Sequence, residues 1–448
     1  MVGGLLYRQT LPIQRLYNEG WNAYHAAALA GGLPLYPPPG AWVANNYPPL
    51  SFAAVAALMR LGMDGVFAGR LLAGMSFIGV TALIVAILWA RRDAVAALAG
   101  GLTFAAYMAI NNADYVGLDD PQLLSLAVML PGLLVLLRVR RRWAAIFAGV
   151  AVCLGLFVKH NSVALPIALA AWLLLYDRGA LLRYLVTCAV CALGGLAICR
   201  AAFGADFFAG LRAPRRYVLT LAARNDLEWV TPMKPLILLA LLPAVLDRRD
   251  RDAVLFALYL CVALAVGMVE AGGEGVNTNC LFEAVIAFSL GAGCLVGRLS
   301  GWLRPLAVIA LAVCTAFGPE LYDAKDVLTF PSWLAQQRAR AAETEAAVAF
   351  IAARPGPALC GANPVLCYWA GKPVQIDPFN YGQSVKAGAR DEAALIARID
   401  ARDFSVIELS SDGPDLFFTP PVLRAVGANY STAPLPMRHS VLYVPRSN

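Results

Sequence analysis

The chain has 448 residues, of which 60% are hydrophobic and 15% charged, with a net charge of +7. A soluble globular chain is about 45–50% apolar and about 25% charged, so lipid is the expected main solvent here. The positive charge does not point to nucleic acid: arginines sit in short runs between apolar segments, without interleaved aromatics and in connectors too short for a binding domain.

Residues 1–47 contain no run apolar and long enough to span a bilayer, and MVGGLLYRQT lacks the charged start and apolar core of a signal peptide. A first transmembrane helix is therefore expected to be missing through a late start codon; upstream in-frame codons that fail to encode an apolar stretch would remove that expectation. Segment 48–62 is proline-led and too short for a crossing, and reads as an interfacial helix in the outer leaflet boundary. Ten spanning helices are then expected at 65–90, 94–112, 121–138, 143–158, 162–176, 181–203, 233–246, 253–269, 280–297 and 303–318. Each arginine-rich connector, 91–92, 138–142, 177–183, 247–251 and 298–304, falls on one side under this count, which makes that side cytoplasmic. The other face receives residues 15–47, 111–120, 159–161, 204–231, 270–279 and everything after 318.

Eight of the ten cysteines lie in apolar segments, and the Cys188/Cys191 pair reads as packed small residues. Gly291-x-Gly293-x-x-x-Gly297 lies in an apolar helix with no preceding strand, and reads as helix packing rather than a nucleotide loop. His25, His160 and His439 show no ligand spacing. Residues 319–448 are richer in charge. Short β-rich runs at 357–360, 373–376, 404–409 and 440–444 alternate with helical stretches at 332–353 and 391–402. That pattern suggests a small α/β domain with a partly parallel sheet. Cys360 and Cys367 are expected to pair if the domain faces an oxidising compartment. The fold class is thus a polytopic α-helical membrane protein of about ten spanning helices plus an outer interfacial helix, with a small C-terminal α/β soluble domain; the domains are 1–318 and 319–448.

Charge near hydrocarbon costs a few kcal/mol, so each polar cluster on the outer face invites a functional reading beside a structural one. Glu19 is either a loop-fixing carboxylate or a working acid. Asp120 before Pro121 suits a helix cap, but Asp119 beside it, with Asp114 nearby, leaves room for a general base or a divalent cation. Lys159 and His160 sit at a helix end, where a lysine can snorkel to headgroups or hold a lipid phosphate. Arg215 and Arg216, with Arg212 and Arg224, defy the positive-inside pattern and suit an anion. In Glu270-Ala-Gly-Gly-Glu274-Gly275-Val-Asn277-Thr278-Asn279 the glycines permit close backbone approach and the asparagines suit sugar hydroxyls. Glu283, about one turn into the bilayer, needs a partner, for which the basic residues above are candidates.

In order along the chain, YNEGWNAYHAAALAGGLPLY, NYPPL, GLDDPQLL, VKHNSVALP, GGEGVNTNCLFEA and LCYWAGKPVQIDPFNYGQ resemble the GT-C superfamily of membrane glycosyltransferases. The likeness is to bacterial relatives of the protein mannosyltransferase family, glycosyltransferase family 39. It implies an inverting transfer of sugar from a polyprenyl-phosphate carrier to a lipid, glycan or protein acceptor at the outer face of the inner membrane. It also implies a base role for Glu19, with Asp119 or Asp120 positioning substrate or assisting. Lys159, His160, Arg215 and Arg216 would hold the lipid phosphate, and Asn277 and Asn279 would contact sugar or phosphate. Asn18 precedes Glu19 where many relatives carry an Asp-Glu pair. In the C-terminal segment, Lys372, Asp377 and Tyr381 suit either substrate contact or an ordinary α/β turn. The rival readings are a transporter or flippase of lipid-linked sugars, and a non-catalytic envelope assembly protein.

Overall fold

A computed structural model describes residues 2–139, 141–316, 330–411 and 417–447. The chain opens with three short helices, α1 (Val2–Arg8), α2 (Tyr17–Ala30) and α3 (Pro49–Arg60). The apolar bundle follows: α4 (Gly65–Arg91), α5 (Ala94–Asn111), α6 (Gln122–Arg138), α7 (Arg142–Val158), α8 (Ala164–Tyr176) and α9 (Arg178–Phe203). Then come α10 (Asp206–Leu211), α11 (Leu219–Val230), α12 (Lys234–Leu246), α13 (Arg251–Glu270), α14 (Phe282–Arg298) and α15 (Leu303–Ala316). Each of the ten expected spans is realised as a helix. Aspartates start four of them, because a carboxylate satisfies amide groups that the first turn leaves free. Asp64 accepts from Val66 N at 2.9 Å, Asp93 from Ala96 N at 3.0 Å, Asp177 from Ala180 N at 2.8 Å and Asp250 from Ala253 N at 3.2 Å.

Among the described residues six helices are long and apolar enough to cross a membrane. One of them differs from expectation: the crossing expected at 233–246 begins at Leu219, because α11 runs through a 3-10 turn into α12. The supposed outer loop 204–231 is therefore largely helical. The helices α6, α7, α8 and α15 have only 13 to 17 residues. At ~1.5 Å per residue they fall short of about 30 Å of hydrocarbon. The centre is α14, whose residues from Phe282 to Val296 are all buried. Its glycines serve packing: a Cβ on Gly291 would lie 2.6 Å from Ala240 O, and one on Gly293 2.8 Å from Ala96 O. Cys188 likewise packs on α7, its thiol donating to Gly149 O at 3.9 Å.

The arginine-rich connectors do gather at one end of the bundle. There Arg91 pairs with Asp252 at 2.7 Å, Arg298 with Asp250 at 2.8 Å and with Asp247 at 3.0 Å, and Arg304 with Asp93. The opposite end collects residues 15–19, 45–47, 112–121, 159–163, 212–218 and 270–279.

The C-terminal segment holds α16 (Phe330–Ala352), β1 (Ala358–Cys360), α17 (Pro364–Trp369), α18 (Pro378–Lys386) and α19 (Ala393–Asp400). It continues with β2 (Val406–Ser410), α20 (Pro420–Asn429), β3 (Tyr430–Thr432) and β4 (Ser440–Pro445). The sheet order is β1-β2-β4-β3, with β1 parallel to β2 and the other pairings antiparallel. The expected strand at 373–376 is absent. Asp377 N instead donates to Trp42 O at 2.8 Å and its carboxylate caps α18, so this stretch follows the N-terminal loop rather than the sheet edge. Cys360 and Cys367 form a disulfide with a Cα separation of 5.9 Å. The expected boundary at 318/319 lies outside the described residues.

This segment docks on α2 closely enough to exclude a side chain between them. A Cβ on Gly20 would lie 2.6 Å from Val365 N. Asp377, 1% exposed, accepts from Tyr17 Oη and Trp21 Nε1, both at 2.8 Å. Tyr24 Oη donates to Lys372 O at 2.8 Å, and the Gln14 amide bonds Ala362 O and Val365 N at 2.9 and 3.1 Å. Lys372 Nζ itself donates to carbonyls of Arg354 and Gly356, and Tyr381 lies in the domain core, so Lys372, Asp377 and Tyr381 each have partners within the fold.

Candidate active site

Adjacent residues on a helix point about 100° apart, and at the start of α2 this sends two side chains to different places. Glu19 turns inward and is fully buried. Its carboxylate takes a two-pronged bond from Arg70 of α4, Nε to Oε1 at 2.7 Å and Nη2 to Oε2 at 2.8 Å, plus Arg15 N at 2.8 Å. Arg70, 2% exposed, spends its remaining donors on the carbonyls of Gln9, Leu11 and Ile13. A buried charge paired and bonded this completely is the arrangement low dielectric tolerates. Sequence reading missed Arg70, although a lone arginine in Val66-Phe-Ala-Gly-Arg70-Leu-Leu was a signal.

Asn18 points the other way and donates to Asp120 Oδ2 at 3.1 Å. Asp120 is the hub of this end of the bundle. Lys159 Nζ lies 3.3 Å from its Oδ2 and Asn279 Nδ2 also 3.3 Å from it, while Gln122 N caps its Oδ1 at 2.8 Å. The Gln122 amide thus makes Asp120 a helix-start acid, yet its other oxygen accepts from three side chains distant in sequence. Lys159, 3% exposed, also donates to Tyr47 Oη at 3.2 Å and sits 4.2 Å above that ring. Burial alone would depress the Lys159 ammonium, but Asp120 and Tyr47 raise it above its ordinary value.

Asp119 differs from both. Its carboxyl lies against α4, where a Cβ on Gly69 would come within 2.1 Å, and its buried Oδ2 has no hydrogen-bond partner. Burial, with Glu19 and Asp120 nearby, pushes its carboxyl well above the ordinary 3.8. Asp114 lies apart, exposed, and pairs with Arg8 and Arg15 at 3.2 and 3.3 Å.

Arginines, amides and His160 border this hub; desolvation by the surrounding protein and the neighbouring Lys159 and Arg215 lower the His160 imidazole to about 4, so it is neutral at rest. His160 is exposed, its ring 6.4 Å from that of Tyr47. Asn161 Nδ2 donates to Glu270 Oε2 at 3.0 Å, tying the 159–161 turn to the end of α13. Arg215 is exposed with its guanidinium 5.4 Å from the Phe379 ring centroid. Arg216, also exposed, pairs with Glu274 at 3.4 Å, and its amide donates to Gln383 at 2.9 Å. Gly275, at φ +76°, brings that loop so near Phe379 that a Cβ would sit 2.4 Å from the ring. Asn277 is exposed and caps its own turn through Thr278 N at 2.7 Å.

The expected basic partner for Glu283 is corrected by the fold. Its oxygens accept from Ala164 N and Leu165 N at 3.0 and 2.7 Å, capping α8 from a neighbouring helix, with Tyr259 Oη at 3.4 Å. The N-terminus of a helix supplies both free amides and the positive end of its dipole, so no cation is required. Of the residues singled out, Lys159 and Asn279 both donate to Asp120, with His160 and Arg215 at the border. Glu19, Arg216 and Asn277 engage other partners. Asn18 and Tyr47 complete the cluster. Among the described residues no three of His, Cys, Asp or Glu group as metal ligands would.

No family model and no curated protein sequence matches the chain. Among solved structures, ArnT from Cupriavidus metallidurans bound to undecaprenyl phosphate matches with a TM-score of 0.65 at 15% identity, over 99% of this chain and 96% of that one. The apo state of the same protein matches with a TM-score of 0.65 at 14% identity, over 98% and 95%. The chain shares its fold with that protein over nearly its whole length.

Proposed function

We propose that the chain transfers a sugar from a polyprenyl-phosphate carrier to an acceptor at the outer face of the cytoplasmic membrane, with inversion. The observation that carries this is the Asp120–Lys159 pair, buried at the helix ends and bordered by His160 and Arg215. An acid beside cations is what a displacement at a sugar carbon with a phosphate leaving group requires. The ArnT structure that shares the fold was solved with undecaprenyl phosphate bound, which supports a carrier lipid of that class.

In the reaction an acceptor hydroxyl attacks the anomeric carbon and a new C–O bond forms. The bond from that carbon to the phosphate oxygen breaks, and the polyprenyl phosphate departs with the electron pair. Asp120 takes the hydroxyl proton. Lys159, His160 and Arg215 face the phosphate, and Asn18 and Asn279 orient the sugar. Lys159 links the two halves, since its ammonium holds Asp120 and also faces the phosphate. Glu19 serves as a positioning residue, holding the start of α2 through Arg70 so that Asn18 meets Asp120. Arg216 and Asn277 shape the bordering loops. The C-terminal sheet segment lies outside the membrane on the same side, packed on α2.

The test is release of undecaprenyl phosphate from its sugar-linked form by the purified chain in proteoliposomes. Asp120→Asn should lower turnover at least 100-fold, within the span of general acid–base effects of about 10²–10⁴. Lys159→Met should weaken binding of the carrier. Uptake of the intact lipid-linked sugar without release would point to a transporter and sink the reading.

A further inference from the structure

A cavity of about 400 Å³ opens among the outer ends of α5, α11 and α14, and none of Tyr47, Asp120 or Lys159 lines it. Its volume lies within the roughly 300–1,000 Å³ of small-ligand pockets. The floor is apolar, formed by Met233, Leu281 and Val285, with Trp229 as a wall. The rim carries Asn111 and Asn112, 9% and 7% exposed, and the side-chain oxygen of each has no hydrogen-bond partner. For Asn111 the orientation is set by its amide nitrogen, which donates to Tyr107 O at 3.4 Å and Thr315 O at 3.5 Å. Buried acceptors left open cost free energy until a donor arrives.

The two amide oxygens on this rim lack a donor, whereas the carboxylates nearby are paired, Asp114 with Arg8 and Arg15 and Glu228 with Arg224. Open acceptors of this kind suit hydroxyl or ammonium groups. The Asp120–Lys159 cluster is a second, separate site. The two sites share walls. Tyr115 lines the cavity while its hydroxyl lies within electrostatic reach of Asp120 and Tyr47. On one turn, Asn277 faces the cavity and Asn279 donates to Asp120.

We infer that this cavity binds the acceptor of the sugar, an amphiphile with an apolar stem and a head rich in hydroxyl or amine donors; the inference rests on the transferase reading above. The head lies against Asn111 and Asn112, the stem against Leu281 and Val285, and the reacting hydroxyl reaches Asp120 past Tyr115.

The experiment uses the full chain in nanodiscs with a decyl glucoside carrying a photoreactive diazirine, and maps the adducts by mass spectrometry. Adducts are expected on residues 107–115 and 277–285. Asn112→Ala should reduce labelling about tenfold, the loss of one hydrogen bond worth ~1.4 kcal/mol. Val285→Trp should abolish it by filling the floor, and excess undecaprenyl phosphate should not compete. Asn112→Ala is small enough to keep the test valid if Val285→Trp does not fold. Labelling elsewhere, competition by undecaprenyl phosphate, or unchanged labelling of Asn112→Ala would each overturn the pocket. Turnover of Asp120→Asn reports on the transferase reading by itself, so the two failures are told apart.

Discussion

Three acids within one short stretch of space meet three different fates, and the difference lies in what each accepts. Glu19 has an arginine and a backbone amide, Asp120 has an ammonium and two side-chain amides, and Asp119 has an unpartnered oxygen. Removing one partner of a buried ion pair costs about 3–5 kcal/mol, since the other charge stays behind. Glu19→Gln should therefore lower the melting temperature and folded yield together with activity; a variant fully stable yet inactive would return Glu19 to the chemistry. Asp119 is expected to respond in the opposite way. Its folded carboxyl holds a proton above the pH at which the unfolded chain, near 3.8, releases it. The folded state then binds more protons in that window, so stability is greatest below it and is lost as pH rises towards the folded value. Asp119→Asn should be tolerated, with a melting temperature that gains on the wild type as pH rises from about 4 to 7. Thermal scans across that range decide it; a flat difference contradicts the protonated state.

At the scale of elements, α2 is the part on which the site depends, because it meets α4 on one side and the C-terminal segment on the other. Gly20 is the tightest point of that docking. Gly20→Val should cost about 1–3 kcal/mol through overpacking, and proteolysis within residues 330–447 should accelerate; unchanged cleavage would mean the contact is dispensable. The helices themselves were legible in the sequence, since a run of apolar residues between arginines identifies a span without knowledge of its neighbours. That Asp120 and Lys159 lie at the end away from the arginine runs was legible for the same reason. What could not be read was direction and partnership. Asn18 and Glu19 are neighbours in sequence but diverge on the helix, Arg70 reaches Glu19 from 51 residues away, and Glu283 finds amides on a helix far from it in sequence. Strand 373–376 failed because an extended, proline-flanked run serves equally well as a docking strap.

For the whole molecule, the separation of two ends is the organising fact: arginine–aspartate pairs at one, the acid–amide cluster and sheet at the other. Placing the second end outside predicts that Val374, 38% exposed, when changed to Cys, reacts with a membrane-impermeant maleimide on intact cells, whereas Arg249→Cys reacts only after permeabilisation. The reverse pattern would invert the orientation. The most direct test of the account remains turnover of undecaprenyl-phosphate-linked sugar by the purified chain, wild type against Asp120→Asn. The wild type should release undecaprenyl phosphate and the variant should lose at least 100-fold, within the range of about 10²–10⁴ given for general acid–base groups. Equal release by both proteins would contradict it.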